Sequence, residues 1–289
     1  GTPTMGGILI VGSMMAALLI AGNFSSLPFV LTLLVMASFF VLGFIDDYRK
    51  VMRHNTKGMR PLQKLAWQSL TGLGVGFLLY HFKVVDTQVY VPFLKGPIID
   101  LGFCYIFWVA LVIVASSNAV NLTDGLDGLA IGPIVTSMAT LGGLAYLAGH
   151  WDYANYLFIP FVANAGELLV LAAAVIGAAV GFLWYNSYPA QVFMGDVGSL
   201  SLGGLLGTVA LLTKNEILFI LIGGIFVAEA LSVILQVGSF KIRHKRIFRM
   251  APIHHHFELK GWKEPKVIVR FWIISLLLAL LAIATLKMR

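Results

Sequence analysis

Long apolar runs dominate the sequence, and only short polar segments separate them. Nine windows are apolar over roughly 20 residues, the length with which an α-helix crosses a bilayer. The runs are continuous and lack the short-range alternation that is typical of a transmembrane β-barrel. We therefore predict an all-α polytopic membrane protein, a single integral membrane domain over residues 1–289 with nine transmembrane helices. The predicted helices cover residues 5–22, 28–45, 65–82, 101–119, 128–148, 167–184, 198–212, 216–237 and 267–287.

The composition supports this prediction. Of the 289 residues, 59% are hydrophobic and 11% are charged, whereas a soluble domain has roughly 45–50% and about 25%. Because so few charges cannot cover a globular surface, most of the protein surface must face lipid. The single cysteine, Cys104, excludes a disulfide framework and a zinc site built from thiolates. The hydrophobicity also excludes intrinsic disorder.

Lysine and arginine are unevenly distributed between the polar segments. Fifteen of the 20 lie in residues 46–64 and 238–270, and nine alternating helices place both segments on one side. The positive-inside rule makes that side the cytoplasm. The predicted cytoplasmic segments are 46–64, 120–127, 185–197 and 238–266. The simpler explanation of these cations is attraction to anionic membrane lipid, which is worth about 1 kcal/mol per charge near the surface. We expect no nucleic-acid partner.

Three of the cytoplasmic segments also carry acids in apolar surroundings. Asp46 and Asp47 are adjacent at the end of a predicted helix, and such a pair indicates a compensating cation or a raised pKa. Asp124 and Asp127 are three residues apart, so they would share a face of a helical turn. Asp196 lies alone between glycines. The alternative for Asp46 and Asp47 is an acidic helix end balanced by Arg49 and Lys50, and the alternative for Asp124 and Asp127 is an ordinary turn between helices.

The fourth cytoplasmic segment contains three consecutive histidines, His254, His255 and His256. Adjacent residues on a helix point about 100° apart, so the three cannot bind one metal ion together. Beside phosphate they could act as proton donors or charge partners, although a structural histidine run is the alternative. Acids suit Mg²⁺ bridged to phosphate, and lysine and arginine bind the remaining phosphate oxygens. The set therefore indicates phosphoryl transfer, without a Walker or kinase motif.

Five segments, in this order, resemble the phospho-N-acetylmuramoyl-pentapeptide transferases, the MraY family. These are Gly1–Gly7, Phe44–Lys50, Asn118–Gly128, Asn186–Gly198 and Pro252–Glu258. The resemblance, which covers the whole chain, implies transfer of phospho-MurNAc-pentapeptide from UDP-MurNAc-pentapeptide to undecaprenyl phosphate. The products are lipid I of peptidoglycan synthesis and UMP, with Mg²⁺ as cofactor. It also implies a homodimer in the bacterial inner membrane whose active site faces the cytoplasm. Because the family has ten helices, we expect one N-terminal helix to be missing.

The resemblance also implies roles for individual residues. It implies catalytic roles for Asp46, Asp47, His254, His255 and His256. It implies substrate binding by Thr4, Lys50, Lys64, Asn121, Asp124, Asp127, Asn186 and Phe193. Within this set, Phe193 would stack on uracil and the lysines would lie near the phosphates. Asp196 would bind Mg²⁺.

Two mechanisms and two other functions agree with these residues. The lipid phosphate could attack the sugar phosphate directly, or an aspartate could first become phosphorylated. We favour direct attack, because the lipid phosphate is already ionised at pH 7.

The alternative enzyme is a polyprenyl-phosphate GlcNAc-1-phosphate transferase. The alternative class is a transporter or flippase, for which the mid-helix acid Glu229 is the candidate residue; a structural Glu229 packed between helices is the simpler explanation.

Overall fold

The computed structural model describes residues 2–52 and 58–288. Three parts of the sequence lie outside the described residues: Gly1 of the first motif, residues 53–57 of the predicted segment 46–64 (which include Arg53 and Lys57), and Arg289. The helices are α1 (Gly7–Ala21), α2 (Leu27–Met52), α3 (Pro61–His81), α4 (Tyr105–Thr123), α5 (Ile131–Ala148), α6 (Trp151–Leu157), α7 (Leu168–Asn186), α8 (Gly195–Leu212), α9 (Leu218–Ile222), α10 (Gly224–Arg243), α11 (Ile253–Glu258) and α12 (Glu264–Thr285). Short 3₁₀ turns cover Gly102–Cys104, Ala165–Glu167 and Leu286–Met288.

The long helices confirm the all-α membrane fold. Within the described residues, seven are long and apolar enough to cross a bilayer: α2, α4, α5, α7, α8, α10 and α12. The apolar α1 is shorter, with 15 residues. The 21-residue α3 has the length but carries Gln63, Lys64 and Gln68 in its first half. Each of these nine helices overlaps one of the nine predicted spans, and seven of them meet the length and hydropathy of a membrane span.

Two helices differ from the predicted spans in ways that matter for the site. The second continues to Met52 instead of ending at residue 45, so Asp46, Asp47 and Lys50 lie on its last turns and not in a loop. The hydropathy window ended at the first charges, but charged residues can continue a helix. The eighth predicted span is interrupted at Gly223, which separates α9 from α10. Glycine is a poor helix former, which favours an interruption at this position.

A short antiparallel hairpin, which the sequence did not reveal, connects α3 to α4. Its strands are β1 (Gln88–Tyr90) and β2 (Pro97–Asp100), with Val89 opposite Ile99. Strands of three and four residues are too short to show a recognisable alternation. The hairpin lies at the end of the helices opposite to Asp46 and Asp47, because α3 and α4 run between the two ends.

Helix α8 forms the centre of the helix bundle. Every residue from Val197 to Leu212 is buried, and α8 packs against α2 and α4. Small residues permit this close packing, as is common between membrane helices. At Gly203, a Cβ atom would lie 2.7 Å from the Cα atom of Ser117. This packing fixes the first turn of α8 beside the last turns of α2 and α4, where the candidate site lies.

Candidate active site

Three aspartates from two helices converge in the site. Asp46 and Asp47 come from the end of α2, and Asp196 comes from the first turn of α8. One carboxylate oxygen from each lies within 4.8 Å of the other two. Asp46 and Asp47 are buried, and Asp196 is partly buried. The sequence indicated all three residues as candidates, and the packing of α2 on α8 brings them together.

Two lysines balance the charge of this aspartate cluster. The Nζ atom of Lys50 lies 2.6 Å from Asp46, 3.2 Å from Asp47 and 3.1 Å from Asp196. The Nζ atom of Lys64, from the first turn of α3, lies 2.9 Å from Asp46 and 2.5 Å from Asp196. Two cations against three carboxylates leave a formal charge of −1. Such a cluster can bind an additional cation, or it can release its lysines towards phosphate.

Backbone groups fix both aspartates of α2. The N–H of Met59 donates a 2.6 Å hydrogen bond to Oδ1 of Asp46. The N–H of Val197 donates a 3.0 Å bond to Oδ2 of Asp47. Asp47 thus binds one of the N–H groups that the first turn of α8 leaves without a helical partner. Each carboxylate of α2 therefore has one oxygen on a backbone N–H and the other on an ammonium group.

Asn121 fixes the orientation of Asp196. Its Nδ2 atom donates 2.8 Å hydrogen bonds to Oδ1 of Asp196 and to Oγ of Ser199. The family resemblance implies substrate binding by Asn121, and in the structure its amide binds Asp196. Ser199 was missed, because a serine inside an apolar glycine-rich run gives no signal of its own.

Asp124 lies close to the aspartate cluster. Burial, followed by the negative charges of Asp196 and Asp47, raises the pKa of Asp124 to about 7. The backbone of Gly195 hydrogen-bonds Asp124. Gly195 has a φ of +74°, and a Cβ atom there would lie 2.5 Å from Oδ2 of Asp47. The same Cβ atom would lie 3.2 Å from Oγ1 of Thr4. The predicted residues Asp124 and Thr4 therefore both border the cluster.

Phe193 is held at the border of the site by the N-terminal segment. Its N–H donates to the carbonyl of Pro3 at 2.9 Å, and its carbonyl accepts from the N–H of Gly6 at 2.8 Å. The aromatic side chain is exposed. An exposed ring with a fixed backbone is available for stacking on a flat ligand.

Asp127 and Asn186 connect loops. Oδ2 of Asp127 accepts a 2.8 Å hydrogen bond from the N–H of Ala190, and its own N–H donates to Oε1 of Glu264 at 3.1 Å. Asn186 is buried and donates a 2.8 Å bond to the carbonyl of Val192. Both side chains hold the segment before Phe193 in place. Glu264 is the first residue of a long apolar helix, and no sequence pattern indicates it as a site residue.

The three histidines point to three different sets of partners. His254 is buried and its Nδ1 atom lies 3.1 Å from Oε1 of Glu229. His255 pairs with Glu258 at 2.7 Å. Nδ1 of His256 accepts a 3.0 Å hydrogen bond from the N–H of Arg249. Partial desolvation, with the charges of Lys260 and Arg249, lowers the pKa of His256.

His254 is the histidine that adjoins the loop carrying Asp124. A Cβ atom at Gly125 would collide with the His254 imidazole. Only a glycine therefore permits the loop and the ring to approach this closely. The loop from Asp124 to Asp127 thus has the aspartate cluster on one side and His254 on the other. The site combines carboxylates, two ammonium groups, an amide and an imidazole at one end of the bundle.

The sequence matches known proteins over its whole length. The sequence model of glycosyl transferase family 4 matches residues 29–214, which include the aspartate cluster and both lysines. Two proteins named phospho-N-acetylmuramoyl-pentapeptide-transferase, from Citrifermentans bemidjiense and a Geobacter species, are 59% identical to this chain over 289 residues. One of the same name from Pelobacter propionicus is 58% identical. Each alignment covers 100% of this chain and 81% of the relative.

Proposed function

The chain belongs to the phospho-N-acetylmuramoyl-pentapeptide transferases of glycosyl transferase family 4, and from this premise we propose how its site works. The reaction joins phospho-MurNAc-pentapeptide from UDP-MurNAc-pentapeptide to undecaprenyl phosphate and yields lipid I and UMP. The observation that carries the proposal is the cluster of Asp46, Asp47 and Asp196 with Lys50 and Lys64 at one end of the membrane helices. There a water-soluble diphosphate can meet a phosphate anchored in the bilayer.

The aspartate cluster fits Mg²⁺. Its donors are carboxylate oxygens, the ligands that this hard cation prefers, and they lie within 4.8 Å of one another. Oδ2 of Asp46 is buried and forms ion pairs with the ammonium groups of Lys50 and Lys64. It accepts no hydrogen bond of good geometry from the described residues. We infer that Asp196, with Asp46 and Asp47, would hold the ion. Bound there, Mg²⁺ would stabilise negative charge on the diphosphate oxygens and on departing UMP.

The contacts of Asp46 and Asp47 favour direct transfer. An oxygen of the lipid phosphate attacks the phosphorus attached to MurNAc, the bond from that phosphorus to the bridging oxygen breaks, and UMP leaves with the electron pair. Both carboxylates of α2 are engaged by backbone N–H groups and ammonium groups. These contacts suit carboxylates that position the acceptor phosphate and accept its residual proton better than a carboxylate nucleophile. Lys50 and Lys64 would bind phosphate oxygens.

Residues around the cluster would bind the rest of the nucleotide sugar. The exposed ring of Phe193 is placed for stacking on uracil. Thr4 and Asp124 border Gly195 and would contact the diphosphate or the sugar. Asn121, by its contacts, would act through Asp196, and Asp127 and Asn186 would act through the loop before Phe193. The histidines would lie beside the pyrophosphate, with His254 adjoining Gly125.

The membrane arrangement is also part of the proposal. Fifteen of the 20 lysines and arginines lie in the two segments on the side of the site, which supports a cytoplasmic site in a bacterial inner membrane. A homodimer remains a prediction from the family resemblance.

One assay tests the function and its main alternative. The purified chain with undecaprenyl phosphate and Mg²⁺ should release UMP from UDP-MurNAc-pentapeptide and form lipid I. EDTA should stop the release, and added Mg²⁺ should restore it. When UDP-GlcNAc replaces UDP-MurNAc-pentapeptide, we expect no release of UMP. Release from UDP-GlcNAc but not from UDP-MurNAc-pentapeptide would instead support the GlcNAc-1-phosphate transferase. Undiminished release in EDTA would overturn the metal assignment but not the transfer.

A further inference from the structure

Glu229 and His254 form a buried pair at the edge of the site. Glu229 lies within α10 and His254 in the first turn of α11, and both residues are 0% exposed. Nδ1 of His254 lies 3.1 Å from Oε1 of Glu229. An acid at membrane depth is costly unless a partner satisfies it. The pair gives Oε1 of Glu229 a partner, whereas Oε2 makes no hydrogen bond to the described residues.

The opposite edge of the imidazole is directed at the loop beside the aspartate cluster. Nε2 of His254 is buried and makes no hydrogen bond to any residue in the described ranges 2–52 and 58–288. A Cβ atom at Gly125 would collide with Nε2 and would lie 2.8 Å from Cε1. Gly125 itself is exposed. One unsatisfied ring nitrogen thus faces the exposed turn that follows Asp124.

A carboxylate on one nitrogen of a histidine determines the chemistry of the other nitrogen. Because a carboxylate only accepts hydrogen bonds, pairing with Glu229 places the proton on Nδ1 and leaves the lone pair of Nε2 towards Gly125. The same pairing fixes the ring orientation. We propose that Glu229 is a positioning residue that acts through His254, holding Nε2 towards the loop that borders the substrate phosphates. This inference rests on the proposed function and extends it to a residue in the middle of a membrane helix.

The test is a double-mutant cycle on the full chain, with UMP release from UDP-MurNAc-pentapeptide as the measurement. The isosteric Glu229→Gln keeps the volume, but its amide can donate or accept and so no longer determines which ring nitrogen is protonated. We expect kcat to fall about 10- to 100-fold, with KM for the nucleotide sugar changed by less than about twofold. In a His254→Ala background, the same substitution should change kcat by less than about twofold.

A second readout does not depend on activity. The ¹⁵N signals of the histidine rings, with those of His254 identified by their loss in His254→Ala, report which nitrogen carries the proton. We expect Nδ1–H in the wild type and a mixture in Glu229→Gln. Glu229→Met removes the acceptor altogether and replaces Glu229→Gln in both measurements if the latter does not fold.

A matched control is Glu216→Gln, which removes another buried acid at the opposite end of the bundle; it should keep the wild-type kcat. Equal losses of kcat in both backgrounds, a wild-type kcat in Glu229→Gln, or an unchanged tautomer would each overturn the inference. A wild-type chain that releases no UMP would instead contradict the proposed function, and the NMR result would still decide the pairing.

Discussion

Asp46 and Asp47 are adjacent in the sequence but make different contacts in the site. Asp46 is paired with both lysines, whereas Asp47 is paired with Lys50 and binds the first turn of α8. Loss of either charge removes one carboxylate from the proposed metal site and weakens the hold on Lys50. We expect Asp46→Asn and Asp47→Asn each to lower lipid I formation about 100- to 1,000-fold, measured with radiolabelled undecaprenyl phosphate.

The exposed Asp152 of α6 provides the control for these substitutions, since Asp152→Asn should retain wild-type activity. Near-normal activity in both aspartate variants would refute their assigned role. A phosphorylated enzyme trapped from the nucleotide sugar without lipid carrier would replace direct transfer by double displacement.

Gly125 is the residue at which a single methyl group tests the contact between the loop and His254. Its Cβ atom would collide with the imidazole, so Gly125→Ala must displace either the ring or the loop. We expect kcat to fall about tenfold or more, with a change in Tm of only a few degrees because the loop is at the surface. Gly143→Ala in α5, where a Cβ atom meets nothing within 4 Å, is the matched control. Wild-type turnover in Gly125→Ala would show that this contact is unimportant.

At the scale of elements, a buried lysine attaches the hairpin to the helices. Lys214, which follows α8, is 1% exposed, and its Nζ atom bonds the carbonyl of Asp86 at 3.0 Å and the hydroxyl of Tyr105 at 3.1 Å. It also pairs with the Asp86 carboxylate at 3.2 Å and lies 3.9 Å from Glu216. Asp86 leads into β1 and Tyr105 begins α4. The ammonium group of Lys214 thereby connects the end of α8 with the hairpin and with the start of α4.

Lys214→Met should destabilise the fold while leaving the site intact. The substitution leaves the buried carboxylate of Glu216 without its cation, which costs about 3 kcal/mol, whereas the pair with the exposed Asp86 adds little. We therefore expect a lower Tm by circular dichroism. UMP release per folded molecule should remain unchanged at 25 °C. Lys83→Met, at an exposed lysine of the same end, should change neither quantity. An unaltered Tm for Lys214→Met would mean that this contact does not hold the hairpin.

Elements of the fold differ in how well the sequence predicts them. The long helices follow from hydropathy because bilayer thickness fixes their length. Alternating topology also places Asp46, Asn121 and Asp196 at one end. The pairing of His254 with Glu229 does not follow, because hydropathy does not show how the segment after Arg243 brings α11 against α10. The burial of Lys214 does not follow either, since a sequence does not reveal burial by distant residues.

At the scale of the whole molecule, Cys104 reports the orientation in the membrane. It is the single cysteine of the chain, is exposed, and lies at the end of α4 opposite to Asn121. If the site faces the cytoplasm, a membrane-impermeant maleimide should label Cys104 in right-side-out vesicles and not in inverted ones. Ser187→Cys in a Cys104→Ser background places the only thiol on the side of the site and should show the reverse. The opposite pattern for both thiols would place the site outside.

The central position of α8 limits which parts of the site can diverge between related enzymes. Asp196 cannot shift without disturbing a helix buried from Val197 to Leu212, so the half of the site that handles phosphate is rigid. The other half is built on α10 and α11, and α10 carries exposed side chains such as Ile234 and Ile242. Substitutions are tolerated more readily there. A change of sugar or peptide preference would therefore arise at exposed residues around α10 and α11, while Asp196 and the buried His254, which face the phosphates, keep their positions.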